Sequence, residues 1–169
     1  YWTIVYLSVG EKIKFAPQAG WGNDFGGQAT VNDEAGAGLV ADADNNLEVK
    51  NAGWYLLHVV NGVERIVNVL VPNVYLIGDT APAGWSVDET GKFVIPETKD
   101  GEFVSPAFMT NKEVRMCVSF GGYDWWKAEF IVLDGKIVYR GSGNDQERVK
   151  VAAGQKAYLN FTDGIGSFK

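Results

Sequence analysis

Period-two alternation of apolar and polar residues, together with runs of β-branched and aromatic side chains, dominates this chain. No window holds a capped amphipathic helix of useful length, so the pattern predicts an all-β fold. Clusters of Gly, Asn, Asp and Pro separate the runs and mark where strands end. Strands are expected at Trp2–Leu7, Lys12–Ala16, Leu47–Val49, Gly53–Val60, Arg65–Val71, Val74–Ile77, Lys92–Ile95, Phe103–Phe108, Glu113–Phe120, Ala128–Leu133, Lys136–Arg140, Glu147–Val151 and Lys156–Phe161.

Two dipeptides predict tight hairpins. Asn61-Gly62 and Asp134-Gly135 each separate two of the expected strands. A two-residue hairpin turn needs positive φ at both positions, and Asn, Asp and Gly tolerate that conformation best. We therefore expect each dipeptide to form the whole connection between its strands.

A weak internal repeat divides the chain. Val49–Gly53 (VKNAG) is echoed by Val149–Gly154 (VKVAAG), and a strand containing an aromatic residue follows each segment. The two copies lie one domain length apart. The repeat predicts two tandem immunoglobulin-like β-sandwich modules, at residues 1–72 and 73–169.

The two modules are expected to differ in their first strand. The second module opens with Val74–Trp85, whose counterpart in the first would fall before Tyr1. We therefore expect the first module to contain one strand fewer than the second. The chain also begins without Met or a signal peptide, so we expect it to be a piece of a longer protein.

Charge and rare residues exclude several classes of function. The net charge of −6 opposes binding to nucleic acid and to anionic membrane surfaces. Cys117 and His58 are the only residues of their types, which excludes disulfides, cysteine-rich zinc sites and the usual catalytic triads unless His58 serves alone. Both lie in expected strands, where a buried thiol and a solvent-facing or hydrogen-bonded imidazole are the plain interpretation. No apolar run reaches the roughly 20 residues of a membrane-spanning helix.

The segment Gly121–Lys127 (GGYDWWK) carries the strongest functional signal. Neighbouring residues of a strand point to opposite faces, so Trp125 and Trp126 cannot both enter one core. We expect one indole to be buried and one exposed, with Trp126 the exposed platform. A flat exposed indole beside Asp124 suits a ligand that has both apolar faces and hydroxyl groups, as a sugar ring does.

Four stretches, taken in order along the chain, carry a family resemblance. They are Glu11–Phe15 followed by Trp21, Asn73–Trp85, Asp124–Lys127 and Glu129–Arg148. The ordered set resembles the SusE/SusF group of surface-exposed, outer-membrane glycan-binding lipoproteins of polysaccharide-using Bacteroidetes, and it spans nearly the whole chain.

The resemblance implies a function and a location. Members of the group have an N-terminal lipid anchor, a spacer domain and tandem starch-binding-like β-sandwich modules that hold α-glucan without cleaving it. It follows that this chain would be the two C-terminal modules of a cell-surface protein, attached to the outer membrane only through an anchor outside these residues. The expected partner is a polysaccharide, with other glycan-uptake outer-membrane proteins as further candidates.

Candidate ligand-binding residues combine a flat apolar platform with hydrogen-bond donors. In the second module they are Trp85, Trp125 or Trp126, Lys127, Arg115 and Asn144. In the first module the glycine-rich turn 21–27 offers Trp21 and Asn23, with Lys14 nearby in sequence. The alternatives are that Trp85 plugs one end of the sandwich and that the turn is a plain surface loop. Trp2 and Trp54 lie in strand patterns and are expected in the core.

Two other classes of function remain open, together with one metal motif. A glycoside hydrolase would need two carboxylates across a cleft, and the candidates are Asp124 with Glu129 and Asp79 with Asp88. A structural or protein-interaction module would instead bury its tryptophans against neighbours. The segment Asp42–Asn46 resembles the opening of a calcium loop, but Gly53 occupies the twelfth position where a bidentate Glu is required. We interpret the segment as a solvated turn and expect neither metal nor cofactor.

Overall fold

The computed structural model describes residues 1–20 and 22–169, and the chain forms two compact units, Tyr1–Pro72 and Asn73–Lys169. Among the described residues the only helical elements are two 3-10 helices of three and four residues, Glu89–Gly91 and Trp125–Ala128. The predicted all-β class is therefore confirmed, and each unit is a β-sandwich module. No helix in the described part of the chain has the length and apolar character needed to cross a membrane.

The first unit contains two sheets. One has the strand order β1-β6-β7-β3 and the other β2-β5-β4. The β3–β7 pair is parallel and the other pairs among the described strands are antiparallel. Apolar side chains between the sheets form a buried core that includes Phe25, Leu47, Leu57, Val67 and Val69. The strands are β1 Trp2–Leu7, β2 Lys12–Ile13, β3 Thr30–Asp33, β4 Val40–Ala41, β5 Leu47–Glu48, β6 Gly53–Asn61 and β7 Arg65–Leu70.

The second unit is built from one seven-stranded sheet with the order β8-β10-β11-β12-β14-β13-β9. Only one residue pair, Lys136 with Ile165, joins β12 to β14, which marks the place where the sheet turns from one layer of the sandwich into the other. The strands are β8 Val74–Ile77, β9 Phe103–Val104, β10 Arg115–Val118, β11 Glu129–Leu133, β12 Lys136–Tyr139, β13 Ala157–Asn160 and β14 Ile165–Phe168.

Strands β8, β10 and β11 are covered on both faces. Leu76, Met116 and Phe130 are cross-strand partners and face the interior, where Phe130 meets Phe161 edge to face at 5.7 Å between ring centroids. Because side chains alternate along a strand, the neighbouring positions face the opposite side. Tyr75, Ile77 and Cys117 form a second buried apolar cluster there. The candidate site is built on this second face.

The expectation of one strand fewer in the first unit is wrong. Each unit contains seven strands among the described residues. The sequence analysis missed β3 and β4, because Thr30–Asp33 and Val40–Ala41 lie among Gly, Ala and Asp residues and are held as strands by pairing with β7 and β5. It also missed β14. Conversely, Lys92–Ile95 and Glu147–Val151 form only isolated bridges rather than strands.

One of the two predicted hairpins is confirmed and the other is wrong. Asp134 and Gly135 have φ of 49° and 77°, and Leu133 pairs directly with Lys136 across them. Asn61, in contrast, lies inside the β6–β7 ladder and pairs with Arg65. That connection is therefore a three-residue loop that begins at Gly62, because the extra ladder pair uses Asn61 as a strand residue.

The remaining special residues have structural roles. Asp42 accepts hydrogen bonds from the backbone and side chain of Asn46 and pairs with Lys12 at 2.8 Å. The bond from Lys12 holds the pKa of the Asp42 carboxyl below its usual value, so the segment is a turn closed by its own polar groups. His58 lies half-buried, with its Nδ1 3.2 Å from the side-chain nitrogen of Asn68. Burial lowers its pKa.

Cys117 provides a stability probe. The thiol is fully buried in β10, and burial raises its pKa to about 12. Because only an exposed thiolate reacts readily, we expect Ellman's reagent to leave the native protein unmodified at pH 8 and to titrate one thiol in denaturant. Rapid labelling of the folded protein would contradict the burial of this side chain.

Candidate functional site

Trp125 and Trp126 lie on a 3-10 helix, not on a strand, so the argument from strand alternation does not apply to them. Trp125 is half-buried and packs on the cluster of Tyr75, Ile77 and Cys117. Trp126 is 40% exposed. We expected one indole to be fully buried and the other exposed. Trp126 is exposed, but Trp125 is only half-buried, because one part of its ring packs on the sheet and the rest is accessible to solvent.

Trp85 and Trp125 form the two walls of a cradle. Their ring centroids lie 5.9 Å apart and their planes are inclined by 51°. The guanidinium carbon of Arg115 lies 5.4 Å from the Trp85 ring centroid and 5.7 Å from that of Trp125. Trp85 is 57% exposed, which rules out the alternative that it plugs the end of the sandwich. We call this pair with Arg115 the indole cradle.

A tight loop presents Trp85. Gly78 donates its backbone N–H to the carbonyl of Gly84 at 2.8 Å, and the two glycines have φ of 89° and 61°. The Trp85 ring lies over Gly78, where an added Cβ would approach it to 3.7 Å. Both positions therefore favour glycine, because positive φ is costly for other residues. The loop that follows β8 thus places the indole above β10.

Trp126 lies near two cationic groups. Lys127 Nζ is 5.0 Å and Arg140 Cζ 5.4 Å from its ring centroid. Lys127 also pairs with Asp124 at 2.9 Å within the same turn. The ammonium group is half-exposed and still able to donate to a ligand oxygen. Trp126 therefore lies between two cationic side chains, and its ring is less exposed to solvent than that of Trp85.

A buried carboxylate connects these aromatic groups. Glu129 begins β11, pairs with Cys117 on the outer face of the sheet and is 1% exposed. Its two oxygens accept hydrogen bonds from Arg115 at 2.6 Å and from Arg140 at 2.7 Å. Arg148 adds an ion pair at 3.8 Å. One carboxylate thus fixes both guanidinium groups that lie against the three indoles.

Asn144 lies elsewhere on the same unit. It lines a shallow groove of about 180 Å³ together with Val138, Tyr139 and Gln146. Arg140, whose guanidinium group lies against the Trp126 ring, also lines this groove. The structure therefore brings Trp85, Trp125, Trp126, Arg115 and Lys127 into one region, while Asn144 belongs to a groove beside it.

The first unit presents its candidates differently. Lys14 pairs with Asp24 at 3.5 Å, and Asn23 is exposed with φ of 58°. Lys14 also lines an open cavity of about 350 Å³ whose other walls are mostly apolar and include Trp2 and Phe15. Trp21 lies outside the described residues. Trp54 is buried as expected, whereas Trp2 is only half-buried.

The carboxylates considered for hydrolysis are each engaged. Glu129 is held by arginines and Asp124 by Lys127. Asp88 caps the 3-10 helix by accepting from the backbone of Thr90, and Asp79 lies 3.8 Å from Lys112. Neither proposed pair forms two free carboxylates facing each other across a cleft, which is the arrangement that glycoside hydrolysis requires.

Three residues of this region, Arg140, Asp145 and Arg148, were not predicted from the sequence as part of the site. Arg140 lies beside Trp126, and Asp145 contacts both Arg140 and Arg115. A signal was present in the sequence, since the short segment 140–148 carries two arginines and two acidic residues. Charges at that density beside glycine and asparagine are usually solvated, and nothing in the pattern indicates that they converge on Glu129.

Comparisons with known proteins are consistent with this geometry. The family model described as SusF/SusE starch specific CBMs, that is carbohydrate-binding modules, matches residues 1–66 and 73–167. The chain is 48% identical to the outer membrane protein SusF of Bacteroides thetaiotaomicron over 98% of its own length and 36% of the relative's. It also matches the crystal structure of SusF from that organism, with a TM-score of 0.93 and 46% identity, over 99% of this chain and 39% of that one. The chain thus spans well under half of the relative, and it belongs to the SusF/SusE family of starch-specific carbohydrate-binding modules.

Proposed function

We propose that this chain binds the α-glucan of starch without cleaving it, through the indole cradle of the second unit. The observation that carries the proposal is the pair of indoles, Trp85 exposed and Trp125 half-buried, inclined by 51° beside Arg115. Indoles stack on the apolar C–H faces of sugar rings, and the guanidinium donates to hydroxyl and ring oxygens. The family to which the chain belongs is described as starch-specific, which supports the same ligand.

The inclination of the cradle favours a curved polymer. Successive glucose rings of an α-1,4-linked chain turn relative to one another, whereas those of a β-1,4-linked chain form a flat ribbon. Two platforms set at an angle can each stack on one ring of a turning chain, while a flat ribbon would contact one indole and leave the other. Shape complementarity of this kind gives specificity without a deep pocket.

We further infer that the two units act as two weak sites on one polymer. In the first unit the binding set would be Lys14, Asn23 and Trp21. Linking two modules raises the effective concentration of the second site after the first has bound, so that a long glucan is held more tightly than a short one. The proposed modules are residues 1–72 and 73–169.

The similarity to a protein named an outer membrane protein supports a location at the bacterial cell surface. We infer that the chain works there as part of a longer lipid-anchored protein, close to other outer-membrane proteins of glycan uptake. The negative net charge is consistent with attachment through an anchor rather than through direct contact with anionic lipid.

Affinity electrophoresis tests the proposed function. In a native gel containing amylopectin we expect the wild-type chain to be retarded relative to a gel without polysaccharide, and in a gel containing hydroxyethyl cellulose to migrate freely. A parallel assay should detect no reducing sugar released from starch. Free migration in amylopectin, or steady release of reducing ends, would contradict the proposal.

Replacing Trp126 by alanine separates the two aromatic regions. We expect a weaker loss of retardation than Trp85→Ala causes, because Trp126 is 40% exposed and Trp85 57% exposed, so that Trp126 offers a ligand less of its ring. The measurement is the dissociation constant on amylopectin, with Val94→Ala, an exposed apolar position in the same unit, as the control. A loss as large as that of Trp85→Ala would place the main platform at Trp126 instead.

A further inference from the structure

Three arginines converge beside the indole cradle. Arg115, Arg140 and Arg148 all lie within 4 Å of the Glu129 carboxylate, at 2.6, 2.7 and 3.8 Å. Guanidinium groups bind carboxylate, sulfate and phosphate through paired, charge-assisted hydrogen bonds. An arginine cluster beside two indoles is therefore the chemistry that would also recognise an anionic sugar, such as a uronate or a phosphorylated glucose.

Asp145 stands on the outer side of this cluster. Its carboxylate lies 3.3 Å from Arg115 and 3.5 Å from Arg140, and it accepts a hydrogen bond from Arg148. The Asp145 side chain is 53% exposed, whereas those of Arg115 and Arg140 are 15% and 14% exposed. An incoming ligand thus meets the carboxylate before it can reach the guanidinium groups. Glu129 closes the cluster on its inner side.

We propose that Asp145 is a specificity-determining residue that restricts the cradle to uncharged glycans. This inference rests on the proposed function, since it concerns the ligand of the same site. The carboxylates of Glu129, Asp145 and Glu113, the last of which lies 3.9 Å from Arg148, balance the charges of the three guanidinium groups. Asp145 also fills the position that an anionic substituent would occupy. A neutral sugar avoids the repulsion and can donate a hydroxyl hydrogen to the exposed carboxylate oxygen.

The loop that carries Asp145 makes the test practical. The preceding residues Gly141, Ser142, Gly143 and Asn144 are all exposed, so a substitution at Asp145 leaves the buried pairs of Glu129 in place. Asp145→Asn keeps the shape and removes the charge, and Asp145→Ala removes both. Glu102→Gln is the matched control, because it also neutralises one exposed carboxylate of the second unit, and Glu102 forms an ion pair with Lys169.

The experiment compares amylose with carboxymethyl-amylose, which has the same backbone with anionic substituents. We expect the wild type and Glu102→Gln to bind amylose and to discriminate against carboxymethyl-amylose. The ratio of the two dissociation constants should shift by about tenfold toward the anionic polymer in Asp145→Ala and by several-fold in Asp145→Asn. The shift should shrink in 0.5 M salt, because salt screens exposed charges.

The outcomes separate this inference from the function on which it rests. If both Asp145 variants bind amylose but keep the wild-type ratio, the selectivity role is overturned and starch binding stands. If Asp145→Ala misfolds and Asp145→Asn folds, the ratio of the two dissociation constants for Asp145→Asn still tests the selectivity role. If the wild type binds neither polymer, the proposed function falls and the role of Asp145 falls with it.

Discussion

Trp85→Ala is expected to abolish most of the affinity of the second unit for starch. The side chain is 57% exposed and forms one wall of the cradle. Truncating a tryptophan at the centre of a binding surface commonly costs about 2 kcal/mol or more, which corresponds to about a thirtyfold loss of affinity. Isothermal titration with maltoheptaose would measure the change.

The control for this variant is Met109→Ala. Met109 is 59% exposed and belongs to the same unit, so its truncation removes exposed apolar surface that is not part of the indole cradle. The affinity of Met109→Ala for maltoheptaose should equal that of the wild type. Because Trp85 is largely exposed, we expect the loss of its contact with Trp125 to cost less than about 1.5 kcal/mol of stability. Equal affinities for Trp85→Ala and Met109→Ala would remove Trp85 from the site.

Glu129→Ala is expected to have the largest effect on folding. The change removes a carboxylate that is 1% exposed and leaves Arg115 and Arg140 without their closest acceptor. Breaking a buried ion pair by deleting one partner costs about 3 to 5 kcal/mol. We expect about 3 kcal/mol here, because Asp145 still faces both arginines. The melting temperature of the second unit should fall by more than about 10 °C in calorimetry.

Two further variants define the cause of that loss. Glu129→Gln keeps the shape and one hydrogen-bond acceptor, so its destabilisation should be clearly smaller than that of Glu129→Ala. Glu102→Ala removes an exposed carboxylate whose ion-pair distance is 3.7 Å, and should change stability by less than about 0.5 kcal/mol. A Glu129→Ala protein as stable as the wild type would show that the network contributes nothing to folding.

Local chemistry made part of the fold predictable. Asp134-Gly135 has the residues that a two-residue turn demands, and the structure contains that turn. Strand β8 was predicted with its observed bounds, Val74–Ile77, because a short apolar run ends at a glycine. Strand β3 depends on a parallel partner far along the chain, and no local pattern specifies such pairing.

The candidate site was predictable in its residue types and not in its geometry. Tryptophans near glycine turns indicated a platform, and Trp85 and Trp126 are indeed exposed. The period-two argument failed at Trp125 because the chain turns into a 3-10 helix there. Nor could spacing reveal that Glu129, at the start of an apolar strand, gathers Arg115 and Arg140 on the outer face of the sheet. That arrangement depends on the register of three strands.

Indole proton resonances give the most direct test of the central claim, which is that the cradle holds α-glucan. In a nitrogen–proton NMR titration of the whole chain with maltoheptaose, the indole signals of Trp85 and Trp125 should shift in a saturable manner, while that of the buried Trp54 should not. Cellohexaose should leave the signals of Trp85 and Trp125 unchanged. Saturable binding of maltoheptaose that moves neither cradle indole would contradict the account.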